Sequence, residues 1–123
     1  MIRLLIVDDE PSIGTMLEKA LGRSGDFKIT YMDNPINAIS RFRAGEYDGV
    51  LLDIMMPQRD GLSVLEEIKT KDPECVVVMM TAYSTLDKVL QSHKVGADHY
   101  LLKPFDSLAN VEKKVRELVK ARS

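Results

Sequence analysis

The chain has 123 residues, enough for one sizeable core but not for two, so we expect a single domain over residues 1–123. A hydrophobic share of 45% is typical of a soluble globular protein. The net charge is −2 at pH 7 with both signs interspersed, which argues against binding nucleic acid or a membrane through bulk electrostatics.

Five short apolar runs, rich in β-branched residues, predict five strands. They cover residues 2–7, 27–32, 50–52, 75–80 and 98–102. A helix-length stretch follows each run, with apolar residues spaced near 3.6 positions apart. The first two helices are marked by Ile13, Met16, Leu17, Ala20 and Leu21, and by Ile36, Ile39 and Phe42. The other three are marked by Leu62, Leu65 and Ile68, by Leu86, Val89 and Leu90, and by Leu108, Val111, Val115, Leu118 and Val119.

The fifth helix is basic, and we expect its N-cap at Asp106 or Ser107. Its cations have an ordinary explanation, because Glu112 and Arg116 form an i,i+4 pair and positive charge suits the carboxyl end of a helix. The sequence therefore predicts no direct nucleic-acid contact there.

Alternation of strands and helices predicts a doubly wound α/β fold. Strands that are almost wholly apolar indicate a parallel sheet with helices on both faces and right-handed crossovers. In such sheets, ligands bind outside the carboxyl ends of the strands, where the strand order reverses.

Polar side chains lie at the carboxyl ends of four predicted strands. Asp8 and Asp9 follow the first strand, Asp53 the third, Thr81 the fourth and Lys103 the fifth. If the first and third strands are neighbours, the three acids converge on one spot. Like charges that close repel by several kcal/mol at intermediate dielectric, so such a cluster requires a divalent cation or protonation. The set suits phosphoryl transfer.

Mg²⁺ binds oxygen ligands and keeps several waters, so a few carboxylates suffice. We expect Asp9 and Asp53 as direct ligands, Asp8 as a direct or water-mediated ligand, and the backbone carbonyl of Met55 as a further one. Asp53 is then the candidate nucleophile, because a carboxylate can form an aspartyl phosphate. Thr81 would donate a hydrogen bond and Lys103 would supply a point charge.

Each of these residues alone has an ordinary structural explanation. Asp8 and Asp9 are suited to cap the first helix, Thr81 to end a strand, and Lys103 to be a solvated loop charge. Their joint placement at one edge favours the metal and phosphoryl site.

The chain resembles a response-regulator receiver domain of two-component signalling (CheY-like) over essentially its whole length. The matching segments are Val7-Asp8-Asp9-Glu10, Leu52-Asp53-Ile54-Met55-Met56-Pro57 with Asp60-Gly61, Met80-Thr81-Ala82, Gly96-Ala97, and Tyr100-Leu101-Leu102-Lys103-Pro104-Phe105. No single segment is decisive, but their joint order is highly specific.

The resemblance implies a flavodoxin-like sheet of order 2-1-3-4-5 and Mg²⁺ held by Asp8, Asp9 and Asp53. It implies that Asp53 accepts phosphate from a sensor histidine kinase or a histidine phosphotransfer protein. It also implies a cis bond between Lys103 and Pro104, and that the small Ala82 leaves room for the phosphoryl group.

By the same resemblance, a shift of Thr81 on phosphorylation lets Tyr100 turn from exposed to buried. The surface of helix four, strand five and helix five then changes for an output partner that the sequence does not identify. We expect a monomer or a phosphorylation-dependent dimer.

Three alternatives remain open. A phosphohydrolase of the haloacid-dehalogenase type would place a second Asp where Met55 lies, so we expect no enzyme beyond intrinsic self-phosphorylation and autodephosphorylation. A flavodoxin-like cofactor binder is disfavoured, because Asp8, Asp9 and Glu10 would repel an anion. The chain can also be a fragment of a larger transcription regulator or hybrid kinase.

The remaining reactive side chains are assigned no function. His93 and His99 have no partner at metal-ligand spacing, and Cys75 abuts a valine run as a structural cysteine does. A lone cysteine forms no internal disulfide, and the first residues are too few for a signal peptide, so we expect a cytoplasmic location and no membrane contact.

Overall fold

The computed structural model describes residues 1–81 and 86–122, without the side chains of Leu86 and Lys88. Five strands and five helices alternate along the chain. They are β1 (Ile2–Val7), α1 (Pro11–Gly22), β2 (Phe27–Met32), α2 (Pro35–Arg41), β3 (Gly49–Asp53), α3 (Gly61–Lys71), β4 (Val76–Thr81), α4 (Leu86–Val95), β5 (His99–Leu102) and α5 (Leu108–Arg122). The predicted alternation is confirmed.

The strands form one parallel sheet in the order β2-β1-β3-β4-β5, as the resemblance implied. Alternate residues of a strand point to opposite faces, and the core is divided accordingly. Leu5 and Val7 of β1 pack with α2, α3 and α4, whereas Leu4 and Ile6 pack with α1 and α5. Both faces of the sheet are therefore apolar and covered by helices.

Three predicted core positions are wrong. Met16 is 36% exposed. Ile36 is 54% exposed and Leu90 is 59% exposed. In α2 the cap at Asn34 starts the helix so that Pro35, Ala38 and Ile39 face inward, which leaves Ile36 on the solvent side.

In α4 the inward stripe contains Val89, Ser92 and Val95 at spacings of three, so Leu90 lies outside it. His93, which the pattern placed on that stripe, is also exposed.

Of the two residues expected to cap α5, Ser107 does so, since its hydroxyl accepts from the amide of Asn110 at 3.2 Å.

Cys75 is a buried free thiol that immediately precedes β4. Burial is the main reason why its pKa is raised to about 12, so it stays protonated. Among the helices of the described residues, none has the length and apolar character required to cross a bilayer.

Candidate functional site at the carboxyl edge of the sheet

Strand pairing brings the predicted site residues to one edge of the sheet. Val7 pairs with Leu52, so Asp8 and Asp53, one residue further along each strand, emerge side by side. On the other side of β3, Asp53 pairs with Met80. The parallel register alone therefore brings the two acids together.

Lys103 enters the same place from β5. Its backbone amide donates to the carbonyl of Thr81 at 2.7 Å, which extends the β4–β5 pairing by one residue. Its ammonium lies 2.7 Å from Asp8 Oδ2, 3.4 Å from Asp53 Oδ1 and 3.8 Å from Glu10 Oε1. The peptide bond to Pro104 is cis, as the resemblance implied. A single cation thus faces three carboxylates.

Asp8 is fully buried and is held at both carboxylate oxygens. Oδ2 accepts from Lys103, and Oδ1 accepts from the backbone amide of Glu10 at 2.9 Å. The N-cap residue of α1 is Glu10, and it makes no side-chain capping bond. Asp8 and Asp9 are therefore not the caps that their position alone suggested.

Asp53 has a strongly perturbed acidity. Burial is the largest cause of a pKa raised to about 7, and repulsion by Asp8 adds to it. Lys103 opposes the shift, and a hydrogen bond with the Asp9 carboxyl favours it further. Burial also disfavours the Lys103 ammonium, but its contacts with Asp8 and Asp53 outweigh that and raise the pKa of the lysine. The site holds more acid than its own cation can balance.

Three acids could hold a metal ion together. Asp8, Glu10 and Asp53 each offer a carboxylate oxygen, and these oxygens lie within 4.8 Å of one another. This set fits Mg²⁺, which takes carboxylate oxygens and completes its shell with water. It contains two of the predicted ligands, Asp8 and Asp53.

Sequence reasoning did not propose Glu10 as a ligand. The only signal was its place directly after Asp8 and Asp9, and its side chain is 60% exposed. Asp9 contributes to the raised pKa of Asp53, and the Met55 side chain is 54% exposed. Asp9 and the Met55 carbonyl stay predicted ligands.

Thr81 and Tyr100, the two residues of the predicted switch, lie on the neighbouring strands β4 and β5. Thr81 is the last residue of β4 and is 3% exposed. The Tyr100 ring packs against the core on the face of the sheet that α2, α3 and α4 cover. The centroids of the Tyr100 and His93 rings are 6.4 Å apart. Its hydroxyl is buried and has no hydrogen-bond partner among the described residues. Ala82 lies outside the described residues.

The turn after β3 explains the Asp60-Gly61 pair. Asp60 caps α3 by accepting from the amide of Leu62 at 2.9 Å. The amide of Gly61 donates to the carbonyl of Ile54 at 2.8 Å, and a Cβ at Gly61 would overlap the carbonyl oxygen of Asp53. Only glycine lets α3 begin this close to the site.

A sequence model of the response regulator receiver domain family matches residues 4–116. The transcriptional regulatory protein ZraR of Klebsiella oxytoca is 40% identical over 105 residues, which are 85% of this chain and 24% of that protein. CusR of Escherichia coli K12, also a transcriptional regulatory protein, is 33% identical over 119 residues, or 97% of this chain and 52% of that protein. The chain thus spans about a quarter to a half of the length of these curated relatives.

Solved structures agree with the sequence matches. A CheY-like response regulator receiver domain protein from Methanospirillum hungatei aligns with a TM-score of 0.88 and 25% identity, covering 99% of this chain and 96% of that one. A two-component response regulator from Clostridium difficile aligns with a TM-score of 0.88 and 26% identity, covering 98% and 97%.

Proposed function

Because the chain belongs to the response regulator receiver domain family, whose members act in two-component systems, we propose that Asp53 is its phosphoacceptor. The donor would be a phosphohistidine on a sensor histidine kinase or a histidine phosphotransfer protein. The observation that carries the proposal is the group of Asp8, Glu10 and Asp53 around one lysine at the carboxyl edge of the sheet.

Receiver domains typically use Mg²⁺, and this chain has an acidic cluster of suitable chemistry. Asp8 and Asp53 would hold the ion with Asp9 or Glu10 and the Met55 carbonyl. When bound, Mg²⁺ supplies charge neutralisation for the acids and for the phosphoryl oxygens. Burial, and after it the neighbouring Asp8 carboxylate, raises the pKa of Asp53 to about 7, and the crowding of acids at this site supports the assignment.

The chain's own residues would position the transfer. A carboxylate oxygen of Asp53 forms a bond to phosphorus while the bond from phosphorus to the donor imidazole nitrogen breaks. That nitrogen keeps the electron pair and takes a proton from solvent. Lys103, whose ammonium already lies 3.4 Å from Asp53, would place its charge beside the phosphoryl oxygens, and Thr81 would donate a hydrogen bond to one of them. The position of Ala82 would have to leave room for the phosphoryl group.

The output surface would be formed by α4, β5 and α5. Phosphorylation adds charge and acceptor oxygens that draw in the Thr81 hydroxyl, and Tyr100 would respond from the neighbouring strand. The Tyr100 hydroxyl is buried without a hydrogen-bond partner among residues 1–81 and 86–122, which supports a ring that has another orientation available. Leu90 and Leu102 are 59% and 46% exposed on this face and would contact the output partner.

A receiver domain is a signalling domain, and we propose for this one only intrinsic self-phosphorylation and autodephosphorylation as chemical activities. The receiver would occupy residues 1–123 and act in the cytoplasm. It would act as a monomer or as a phosphorylation-dependent dimer, without direct contact to nucleic acid or a membrane. A second candidate is the receiver part of a longer transcription regulator, because this chain matches 24% of ZraR and 52% of CusR.

The test is the intact mass of the protein after incubation with acetyl phosphate and Mg²⁺. We expect one phosphoryl group on the unmodified protein, none on Asp53→Asn and none in excess EDTA. Asp48→Asn is the matched control, because Asp48 precedes β3 at the opposite edge of the sheet and should not affect uptake. An adduct that survives in Asp53→Asn would contradict the assignment, and phosphate release over many turnovers would favour the phosphohydrolase.

A further inference from the structure

A tyrosine from the edge strand reaches the acidic loop of the site. The hydroxyl of Tyr31, in β2, donates to the backbone carbonyl of Asp8 at 2.8 Å. Its ring is half-buried on the face of the sheet that α1 and α5 cover. Burial is the main cause of a raised pKa for this phenol, and the nearby Asp33, Asp8 and Asp9 add to it. The hydroxyl therefore stays protonated and remains a donor.

Helix α1 has a gap that accommodates this ring. Gly14 is buried in the first turns of the helix, and a Cβ built there would overlap Cε1 and Cζ of Tyr31. Glycine inside a helix is less favourable than alanine by about 0.5–1 kcal/mol. Gly14 has no positive φ that would require glycine, so close approach of the tyrosine is the reason that the structure offers.

The hydrogen bond acts on the peptide unit that leads into Asp9. The carbonyl of Asp8 and the amide of Asp9 belong to one planar group, so holding the carbonyl also sets the direction in which the chain continues. The Asp8 side chain is held separately, by Lys103 and by the amide of Glu10. Tyr31 thus restrains the part of the loop that these two contacts leave free.

We infer that Tyr31 is a positioning residue for the metal-binding loop formed by Asp8, Asp9 and Glu10, and that Gly14 is present to admit its ring. The inference rests on the proposed function, because it assumes that this loop binds Mg²⁺. Residues that orient metal ligands through hydrogen bonds affect affinity although they do not touch the ion.

The first test removes only the hydroxyl. Tyr31→Phe is expected to raise the Mg²⁺ dissociation constant about tenfold, the lower end of the effect of losing such an outer contact. Titration calorimetry without any phosphodonor measures this constant directly. The matched control is Tyr47→Phe, because the Tyr47 ring stacks on Phe42 and packs in the core on the α2–α4 side.

A merely structural role for Tyr31 would change stability and leave Mg²⁺ affinity unaltered. With acetyl phosphate, positioning predicts a higher Mg²⁺ concentration for half-maximal phosphorylation but an unchanged rate at saturating Mg²⁺. An unchanged dissociation constant in Tyr31→Phe, together with a lowered unfolding midpoint, would overturn the inference.

The second test uses the ring and the glycine together. Gly14→Ala is expected to raise the Mg²⁺ dissociation constant at least as much as Tyr31→Phe, because the new methyl group displaces the ring. In a Tyr31→Ala background, Gly14→Ala should cause no further loss of affinity. Gly22→Ala is the control on the same helix, since a Cβ there would meet nothing within 4 Å.

Equal losses from Gly14→Ala in both backgrounds would contradict the role of the ring. If the unmodified protein binds Mg²⁺ and accepts a phosphoryl group while every variant binds Mg²⁺ equally well, the inference fails and the proposed function stands. If the unmodified protein binds no Mg²⁺, both fail.

Discussion

The two edges of the parallel sheet use the same kinds of charged residue to opposite effect. At the amino edge, where β3 and β5 begin, Asp48 pairs with Arg3 at 3.0 Å and Asp98 pairs with Lys69 at 2.9 Å and with Arg122 at 2.6 Å. At the carboxyl edge, Asp8, Glu10 and Asp53 share Lys103 alone among the described residues.

The pKa values of the aspartates differ between the two edges. The hydrogen bond from Arg3 holds the pKa of Asp48 below its ordinary value. Burial alone would raise the pKa of Asp98, but its bonds from Lys69, the Val77 amide and Arg122 outweigh that and lower it. For Asp53, burial is not outweighed in this way, and with repulsion from Asp8 it raises the pKa to about 7. Balanced charges at one edge stabilise the fold, whereas unbalanced charges at the other favour an added cation.

The largest expected effect comes from removing Lys103, the cation that Asp8, Glu10 and Asp53 share. Lys103→Met leaves the fully buried Asp8 carboxylate without its ammonium, so we expect the free energy of unfolding to fall by about 3 kcal/mol in EDTA. Urea unfolding at pH 7.5 measures it. Added Mg²⁺ should restore part of the loss, and Lys113→Met, at an exposed position on α5, should cost little. A loss below about 0.5 kcal/mol, as for an ordinary surface change, would contradict the charge imbalance.

The amino edge should lose stability without losing metal affinity. Asp98→Ala deprives Lys69, Arg122 and the Val77 amide of their acceptor, so we expect a loss of about 2 kcal/mol in the same assay. The Mg²⁺ dissociation constant, determined by calorimetry at a temperature where the variant is folded, should be unchanged. A large change in that constant would show that the two edges are not independent.

The pH dependence of stability should have opposite signs at the two edges. Without metal, the folded protein retains a proton on Asp53 that the unfolded chain releases between its ordinary pKa of 3.8 and about 7. The contribution of Asp53 to stability therefore falls as pH rises through this window and is level above it. Asp53→Asn removes that slope, and at pH 8 it should stabilise the protein by about 1 kcal/mol.

Asp48→Asn is the matched comparison for this measurement. The lowered pKa of Asp48 means that its contribution is present at neutral pH and is lost as pH falls through that lowered value. Asp48→Asn should therefore destabilise the protein at pH 8. Thermal unfolding of both variants in EDTA, from pH 8 down to below the ordinary carboxyl pKa of 3.8, gives the two signs. A destabilised Asp53→Asn at pH 8 would contradict the raised pKa of Asp53.

The smallest expected effect is at the exposed end of the amino edge. The Arg3 side chain is 46% exposed and that of Asp48 30%, so Arg3→Ala should lower the free energy of unfolding far less than Asp98→Ala does. The loss should shrink in high salt, because exposed pairs are screened. Urea unfolding at low and high sodium chloride measures both quantities. If Arg3→Ala lowered the free energy of unfolding as much as Asp98→Ala, solvent exposure would not explain the difference between the Arg3–Asp48 pair and the pairs of Asp98.

Most residues of the candidate site could be predicted from the sequence. A polar residue at the carboxyl end of a parallel strand lies at the edge of the sheet where ligands bind. Asp53 and Thr81 follow apolar runs, and each is the last residue of its observed strand. Glu10 was missed as a candidate ligand because it lies beyond the end of β1, and only the fold brings its carboxylate close to those of Asp8 and Asp53. Ile36 and Leu90 were misplaced because a cap or a polar core residue such as Ser92 rotates the buried stripe, and apolar spacing does not show this.

By itself, the sequence determined the element order, the parallel sheet and the edge at which the acids meet, because hydrophobic periodicity and strand-end position are local properties of the chain. Only the tertiary structure decided which cation those acids share. The 2.7 Å contact between Lys103 and Asp8, and the fit of Tyr31 against Gly14, join residues far apart in sequence. Such contacts depend on the register and packing of the folded chain.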